Sequence, residues 1–128
     1  MNQTEKADYF GTLHRKGTPV ILYNIWDAGT AKAVTEAGAK ALATGSWSVA
    51  AANGYGDGQK LPMDVLIETA RSITAVNDLP LSVDFEGGYS TEPAGAAANV
   101  AKLIEAGAIG INFEDQRVGE AGLHSIEA

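Results

Sequence analysis

The sequence has 128 residues, a formal net charge of −7 and no cysteine. Its nine basic residues form no cluster, which argues against nucleic acid and anionic membranes as partners, and the missing thiols exclude disulfides and thiolate metal sites. No apolar stretch is long enough to span a bilayer and the N-terminus lacks a signal-peptide pattern, so we predict one domain of a cytoplasmic metabolic protein.

The first part of the sequence alternates helix and strand signals. Residues 4–16 carry the apolar stripe of a short leading helix, and residues 19–24 are an apolar strand run. Asp27 is placed to cap a second helix. Residues 41–44 form a second, short strand that opens into a loop. These signals predict two βα units in succession.

The second part continues the same alternation. The glycine-rich residues 53–58 predict a loop, and residues 62–76 predict a helix that begins at its proline. Residues 81–85 are a third strand, a helix follows over about residues 93–107, and residues 109–113 are a fourth strand. Strands and helices that alternate in this way are typical of α/β folds with a parallel sheet.

Side-chain alternation in the third strand separates a polar from an apolar face. Ser82, Asp84 and Glu86 share one face, while Phe85 lies on the other with its apolar neighbours. A doubly wound sheet is apolar on both faces, whereas small polar layers that end in carboxylates suit a barrel interior. We therefore predict a (β/α)8 TIM barrel rather than an open doubly wound sheet, with residues 1–128 as the N-terminal half of a single barrel domain.

Two strand ends carry carboxylates. Residues 82–88 read Ser-Val-Asp-Phe-Glu-Gly-Gly, and residues 110–115 read Gly-Ile-Asn-Phe-Glu-Asp. Because carboxylates are costly to bury, their convergence where parallel strands end indicates a site rather than a core. A hard divalent cation with oxygen ligands fits such a site best, and Mg²⁺ is the first candidate.

Five motifs follow one another between residues 9 and 116. They are Asn-Ile-Trp-Asp-Ala-Gly-Thr-Ala at 24–31, Ala-Leu-Ala-Thr-Gly-Ser at 41–46 with Val-Ala-Ala at 49–51, Gly-Tyr-Gly-Asp-Gly at 54–58, and the two acidic strand ends. In this order they resemble the isocitrate lyase and phosphoenolpyruvate mutase superfamily. The resemblance implies a (β/α)8 barrel that binds a pyruvate-like α-oxo-carboxylate together with Mg²⁺.

The resemblance also implies roles for individual acidic residues. Asp84, Glu86 and Glu114 would hold the metal, largely through its waters, with Mn²⁺ as the alternative ion, and Asp84 would also contact the substrate. Asp57, on a glycine-flanked loop able to close over the site, would act in catalysis or gating; the competing interpretation is a turn residue. Asp115 points to the other face by alternation and is assigned to capping.

Three further residues are candidates for substrate binding. Ser46, with nearby backbone N–H groups, would fix the substrate carboxylate, and helix capping is the alternative role. Asn24 ends the first predicted strand on the interior face, where it would touch substrate or support residues that do. Trp47 follows Ser46 in the same loop, and packing or a subunit contact is its alternative role.

The sequence departs from the lyases of the superfamily at one loop. Residues 118–124 read Val-Gly-Glu-Ala-Gly-Leu-His, where the resemblance leads us to expect a Lys-Arg-Cys-Gly-His loop. Gly122 falls roughly at the position that the catalytic cysteine has in those lyases. A thiol acid of the isocitrate-lyase type is therefore not expected. The Lys-x-Asn element of the mutase and phosphonopyruvate hydrolase branches is also missing.

The resemblance implies a Mg²⁺-dependent enzyme of the lyase or hydrolase type. It would make or break a C–C bond next to an α-oxo-carboxylate through an enolate, with a small α-oxo or dicarboxylic acid as substrate. P–C bond chemistry of the phosphoenolpyruvate mutase or phosphonopyruvate hydrolase type is the alternative, and a non-catalytic barrel fragment that binds a partner is the third possibility. Residues 125–128 are expected to open a further helix of a longer protein, and the resemblance implies a homo-oligomer, a tetramer.

Overall fold

Four short parallel strands alternate with helices in residues 1–127, the part of the chain that the computed structural model describes. The strands are β1 (Asn24–Ile25), β2 (Leu42–Thr44), β3 (Leu81–Asp84) and β4 (Gly110–Asn112). The helices are α1 (Gln3–Leu13), α2 (Ala28–Glu36), α3 (Ser46–Ala52), α4 (Met63–Val76) and α5 (Pro93–Glu105). No helix in these residues is long and apolar enough to cross a membrane.

The strands are ordered in space as they are in the chain. Each strand pairs in parallel with the next, in the order β1-β2-β3-β4. A doubly wound sheet reverses its direction of winding at a switch point, whereas a (β/α)8 barrel adds every strand on the same side of the previous one. The observed order is that of four successive units of a barrel.

The hydrophobic core lies between one face of the sheet and the helices packed on it. From the sheet, Leu42, Leu81, Val83 and Phe85 are at most 1% exposed. They form one cluster with the inward residues of α4, which are Leu66, Ile67, Ala70 and Ile73. The helical period of that stripe and the strict alternation in β3 explain why both elements form and which faces they bury.

The first strand is shorter and later than the predicted 19–24. Pairing begins only at Asn24, because β1 lies at an edge of the sheet and its one neighbour, β2, has three residues. Ile21 and Tyr23 are 73% and 70% exposed, along an apolar groove between this edge and α2. An apolar run therefore identified the region, but pairing set the bounds of the strand.

The other elements differ from the predictions by small shifts of their bounds, and three differences go beyond such a shift. Residues 46–52 form the short helix α3 instead of a loop, because the alanine-rich run after Ser46 favours a helix once Gly45 ends the strand. Pro62 is the N-cap of α4 rather than its first residue. Residues 126–127 form a turn instead of the expected helix opening, and Ala128 lies outside the described residues.

Asp27 caps α2 as predicted. Its carboxylate accepts a hydrogen bond of 2.7 Å from the Thr30 N–H, and the Thr30 hydroxyl closes a capping box. These bonds, the backbone one first, hold the pKa of Asp27 below its usual value. The pKa of Asp27 is lower in the folded than in the unfolded protein. The cap therefore stabilises the fold fully at a pH above the unfolded-state pKa, and this stabilisation is lost as the pH falls through the folded-state pKa.

We expect Asp27→Ala to lower the free energy of unfolding by about 1 kcal/mol at pH 7, since the Thr30 N–H and hydroxyl at the start of α2 lose their carboxylate acceptor. Urea denaturation of the two proteins measures the difference. Asp27→Ser, which keeps a capping oxygen, should recover most of it. An alanine variant as stable as the wild type at pH 7 would contradict the capping role.

Candidate metal and substrate site

The candidate site begins where β3 ends. Val83 and Phe85 point into the core, so the residues that alternate with them, Asp84 and Glu86, lie on the opposite face. The strand ends stay side by side beyond the sheet, since the Glu114 N–H donates to the Glu86 carbonyl oxygen at 2.8 Å. The two acidic runs are therefore neighbours, as predicted from the sequence.

Asp84 is held by residues at the end of β2. Its N–H donates to the hydroxyl of Thr44 at 2.9 Å, and its Oδ2 accepts from the Ser46 N–H at 3.0 Å. Thr44 is 2% exposed, so this support is rigid and shielded from water. Within the described residues, the other carboxylate oxygen of Asp84 has no hydrogen-bond partner and is free for a ligand.

Glu86 is held by the segment that follows the glycine-rich loop. Both of its carboxylate oxygens accept from the Gln59 N–H, at 3.1 and 3.2 Å. The Glu86 backbone is left-handed, with φ of 49°, a conformation that non-glycine residues adopt rarely and mostly at functional sites. Gln59 and Thr44 are not among the site residues predicted from the sequence. The signals for them are a polar residue directly after the Gly-rich loop and a hydroxyl at the end of a buried strand.

Negative charge accumulates at this point without a basic partner. Burial raises the pKa of Glu86, and the charges of Asp57 and Asp84 add to that rise, against the opposing hydrogen bond from Gln59. Burial, with the charges of Glu86 and Asp84, also raises the pKa of Tyr89 to about 12. The ion pairs of the described residues are all elsewhere: Lys6 with Asp78, Arg71 with Glu68 and Arg117 with Glu120.

The four predicted acidic residues are only partly brought together. Asp84 and Glu86 are half-buried neighbours, and exposed Asp57 lies close enough to act on Glu86 electrostatically. The Glu114 side chain is exposed, and the contact of this residue with the group is the hydrogen bond from its backbone N–H to the Glu86 carbonyl oxygen. Across residues 1–127, no three His, Cys, Asp or Glu side chains are close enough together to enclose a metal ion. The side chains alone therefore form an incomplete coordination shell.

The predicted substrate residues lie at the same end of the sheet. Ser46 is the first residue of α3, and its N–H is already used by Asp84, which leaves its hydroxyl for a ligand. Trp47 follows it and is 68% exposed. Asn24 lies against Gly45 so closely that an added Cβ there would be 2.9 Å from the Asn24 amide nitrogen. Glycine at position 45 is therefore needed to let the Asn24 side chain reach this end of the sheet.

The donor set fits a hard divalent cation. Its groups are carboxylate oxygens, one of them unpaired, in a half-buried place with surplus negative charge. Such oxygens suit Mg²⁺ or Mn²⁺, and Mg²⁺ in particular is usually bound by one or two carboxylates with waters in the remaining positions. An incomplete shell of protein ligands is compatible with this kind of site.

Comparison with known proteins gives the family. The sequence matches the phosphoenolpyruvate phosphomutase family over residues 10–128. An uncharacterized protein of Mycobacterium tuberculosis (H37Rv) is 38% identical over 106 residues, 83% of this chain and 40% of its own length. The 2-methylisocitrate lyase of Escherichia coli (K12) is 32% identical over 102 residues, 79% of this chain and 34% of its own. The chain thus spans less than half the length of these curated relatives.

Solved structures agree on the fold. A candidate phosphonomutase of Burkholderia cenocepacia J2315 superposes with a TM-score of 0.94 and 45% identity, over 98% of this chain and 50% of its own. A phosphonopyruvate hydrolase, solved with oxalate and Mg²⁺, superposes with a TM-score of 0.88 and 22% identity, over 99% of this chain and 44% of its own. The predicted fold class, a (β/α)8 barrel of which this chain carries about half, is confirmed.

Proposed function

This chain belongs to the phosphoenolpyruvate phosphomutase family, within the isocitrate lyase and phosphoenolpyruvate mutase superfamily, and from that premise we propose that it carries the metal site of a Mg²⁺-dependent enzyme. The enzyme makes or breaks a C–C bond next to an α-oxo-carboxylate. The observation that carries the proposal is the pair Asp84 and Glu86, buried in part and without a basic partner, at the carboxyl ends of parallel strands.

Asp84 and Glu86 are the proposed metal-holding residues, with Glu114 on the neighbouring strand end as the third. Mg²⁺ is the proposed ion and Mn²⁺ its substitute; a relative of the same fold was solved with Mg²⁺ and oxalate. A bound divalent cation would offset the negative charge that an α-oxo acid gains as it becomes an enolate.

The remaining candidates act on the substrate in this proposal. Asn24 and the Ser46 hydroxyl orient its polar groups, and Trp47 covers it from α3. Ser46 also fixes the Asp84 carboxylate through its N–H, so metal and substrate positions depend on the same turn. Asp57 approaches from the loop at 53–58, where it moves a proton or excludes water when the loop closes.

The same relatives support proposals for the domain, the assembly, the location and the substrate. Residues 1–128 are proposed as the first half of one barrel domain, since the chain covers 50% of the Burkholderia protein at a TM-score of 0.94. The proposed assembly is a homo-oligomer and the proposed location is the cytoplasm. A small α-oxo or dicarboxylic acid is the proposed substrate, in line with the lyase among the relatives.

P–C bond chemistry is the second candidate. It is favoured by the 45% identity to a candidate phosphonomutase, which is higher than the 32% identity to the 2-methylisocitrate lyase. Both reactions use an enolate of an α-oxo acid, so the carboxylate pair serves either. The two reactions differ in the atom that is bonded to the enolate carbon, which is carbon in the first and phosphorus in the second.

The test is a turnover screen of the full-length protein with Mg²⁺, followed by ¹H and ³¹P NMR. A panel of 2-hydroxy diacids, α-oxo diacids and phosphonopyruvate covers both candidates. Pyruvate or glyoxylate released from a phosphorus-free acid supports C–C chemistry, and a Mg²⁺-dependent change of the ³¹P signal supports the second candidate. No turnover of any acid, together with no Mg²⁺ binding, would overturn both.

Glu86→Gln should separate the metal role of this residue from a structural one. The variant removes a half-buried charge that Asp57 and Asp84 oppose, so we expect the metal-free protein to melt at a temperature no lower than that of the wild type. Mg²⁺ should no longer stabilise it, whereas Mg²⁺ should raise the melting temperature of the wild type. Thermal melts with and without Mg²⁺ measure both; a variant that Mg²⁺ stabilises as much as the wild type would contradict the assignment.

A further inference from the structure

Three strained residues are linked to one another beside the carboxylate pair. In the described residues, Gln59, Glu86 and Tyr89 are the only non-glycine residues with left-handed backbone, with φ of 55°, 49° and 56°. The Gln59 N–H donates to the Glu86 carboxylate, and the Gln59 Oε1 accepts from the Tyr89 N–H at 3.1 Å. Strained backbone persists only where its surroundings over-determine it, and here one residue, Gln59, supplies both links, one through its backbone N–H and one through its side-chain oxygen.

The turn after β3 is confined on both sides. Gly87 and Gly88 are buried, and a Cβ at Gly87 would lie 2.9 Å from Val118 and 3.1 Å from the Gln59 Oε1. The half-buried Gln59 closes one side and the segment at Val118 closes the other. Gln59 therefore forms one wall of the turn at 86–89, which the Asn99 amide also holds by donating to the Gly88 carbonyl oxygen at 3.0 Å.

We infer that Gln59 is a positioning residue for the proposed cation site: its side chain locks the turn at 86–89, and its N–H aims the Glu86 carboxylate. The inference rests on the proposed function, because it assumes that Glu86 holds the cation. Groups that hydrogen-bond to a metal-holding carboxylate fix its orientation, and their loss typically weakens metal binding by 10–100-fold. Gln59 also directly follows the loop that carries Asp57, so the same residue ties that loop to the turn that carries Glu86.

Gln59→Gly isolates the side chain. Glycine adopts a left-handed φ without strain and keeps the N–H, so the loop can fold, but the acceptor for the Tyr89 N–H is lost. We expect Mn²⁺ affinity to fall about tenfold and the Tyr89 amide to exchange faster with solvent. Gln59→Glu keeps an acceptor oxygen at the same reach and should restore slow exchange at Tyr89.

The experiment is calorimetric titration of the full-length protein with Mn²⁺ alone, with amide exchange on the same samples. Gln116→Ala is the matched control: it removes another glutamine side chain from the same small cavity and should leave both readouts unchanged. Unchanged Mn²⁺ affinity in Gln59→Gly, even with a lower melting temperature, would overturn the inference and leave the cation site standing. A wild type that does not bind Mn²⁺ at millimolar concentration would overturn the inference and the proposed function together.

Discussion

Asp84→Asn is expected to weaken divalent-cation binding by more than about 100-fold and to abolish turnover. The substitution removes the charge but keeps an oxygen at the same position, so the bond from the Ser46 N–H can still form. The backbone bond from Asp84 to Thr44 is unaffected. The fold should therefore remain while the charge proposed to hold the metal is lost.

Mn²⁺ titration and turnover of the best acid from the screen measure this effect. Asp115→Asn is the matched control, because Asp115 is an exposed carboxylate on the neighbouring strand end, bonded to the His124 N–H only through its backbone carbonyl. That variant should bind Mn²⁺ like the wild type. Equal affinities for the Asp84 and Asp115 variants would show that β3 does not carry the site.

Phe85→Ala is expected to have the largest effect on stability, about 3–5 kcal/mol. Phe85 is fully buried among core residues and packs on Tyr89, with ring centroids 5.6 Å apart. It stands between Asp84 and Glu86, so the cavity left by its removal also loosens the end of β3, which carries Asp84, and the turn that carries Glu86. A loss of this size is a large part of the 5–15 kcal/mol by which domains are typically stable.

Urea denaturation measures the loss for Phe85→Ala. Phe85→Leu, which keeps most of the apolar volume, serves as the control and should lose less than about 1.5 kcal/mol while binding Mn²⁺ normally. If the alanine variant unfolded at the same urea concentration as the wild type, the assignment of Phe85 to the core would be wrong.

Much of this architecture could be predicted from sequence because it rests on local periodicity. The alternation of Asp84 and Glu86 with Phe85 predicts which side chains enter the core and which face the site, and the structure has this arrangement. The Asp27 cap and the stripe of α4 depend equally on residues close in the chain. Where spacing along one element decides the outcome, the sequence is enough.

What could not be predicted depends on distant parts of the chain. The start of β1 is set by its pairing with β2 at Asn24 and Ala43, which no apolar run reveals. Gln59 reaches Glu86 across 27 positions of sequence, and its role comes from a left-handed backbone that its residue type does not suggest. Glu114 carries the right residue type, but alternation alone could not tell that its side chain would be exposed.

We propose that the carboxylates at the end of β3 hold a divalent cation. Crystals of the full-length protein grown with Mn²⁺ and oxalate, measured near the manganese absorption edge, test it directly. We expect one anomalous peak per chain, within ligand or water-bridging distance of Asp84 and Glu86. A peak placed elsewhere, or no peak at millimolar Mn²⁺, would contradict it.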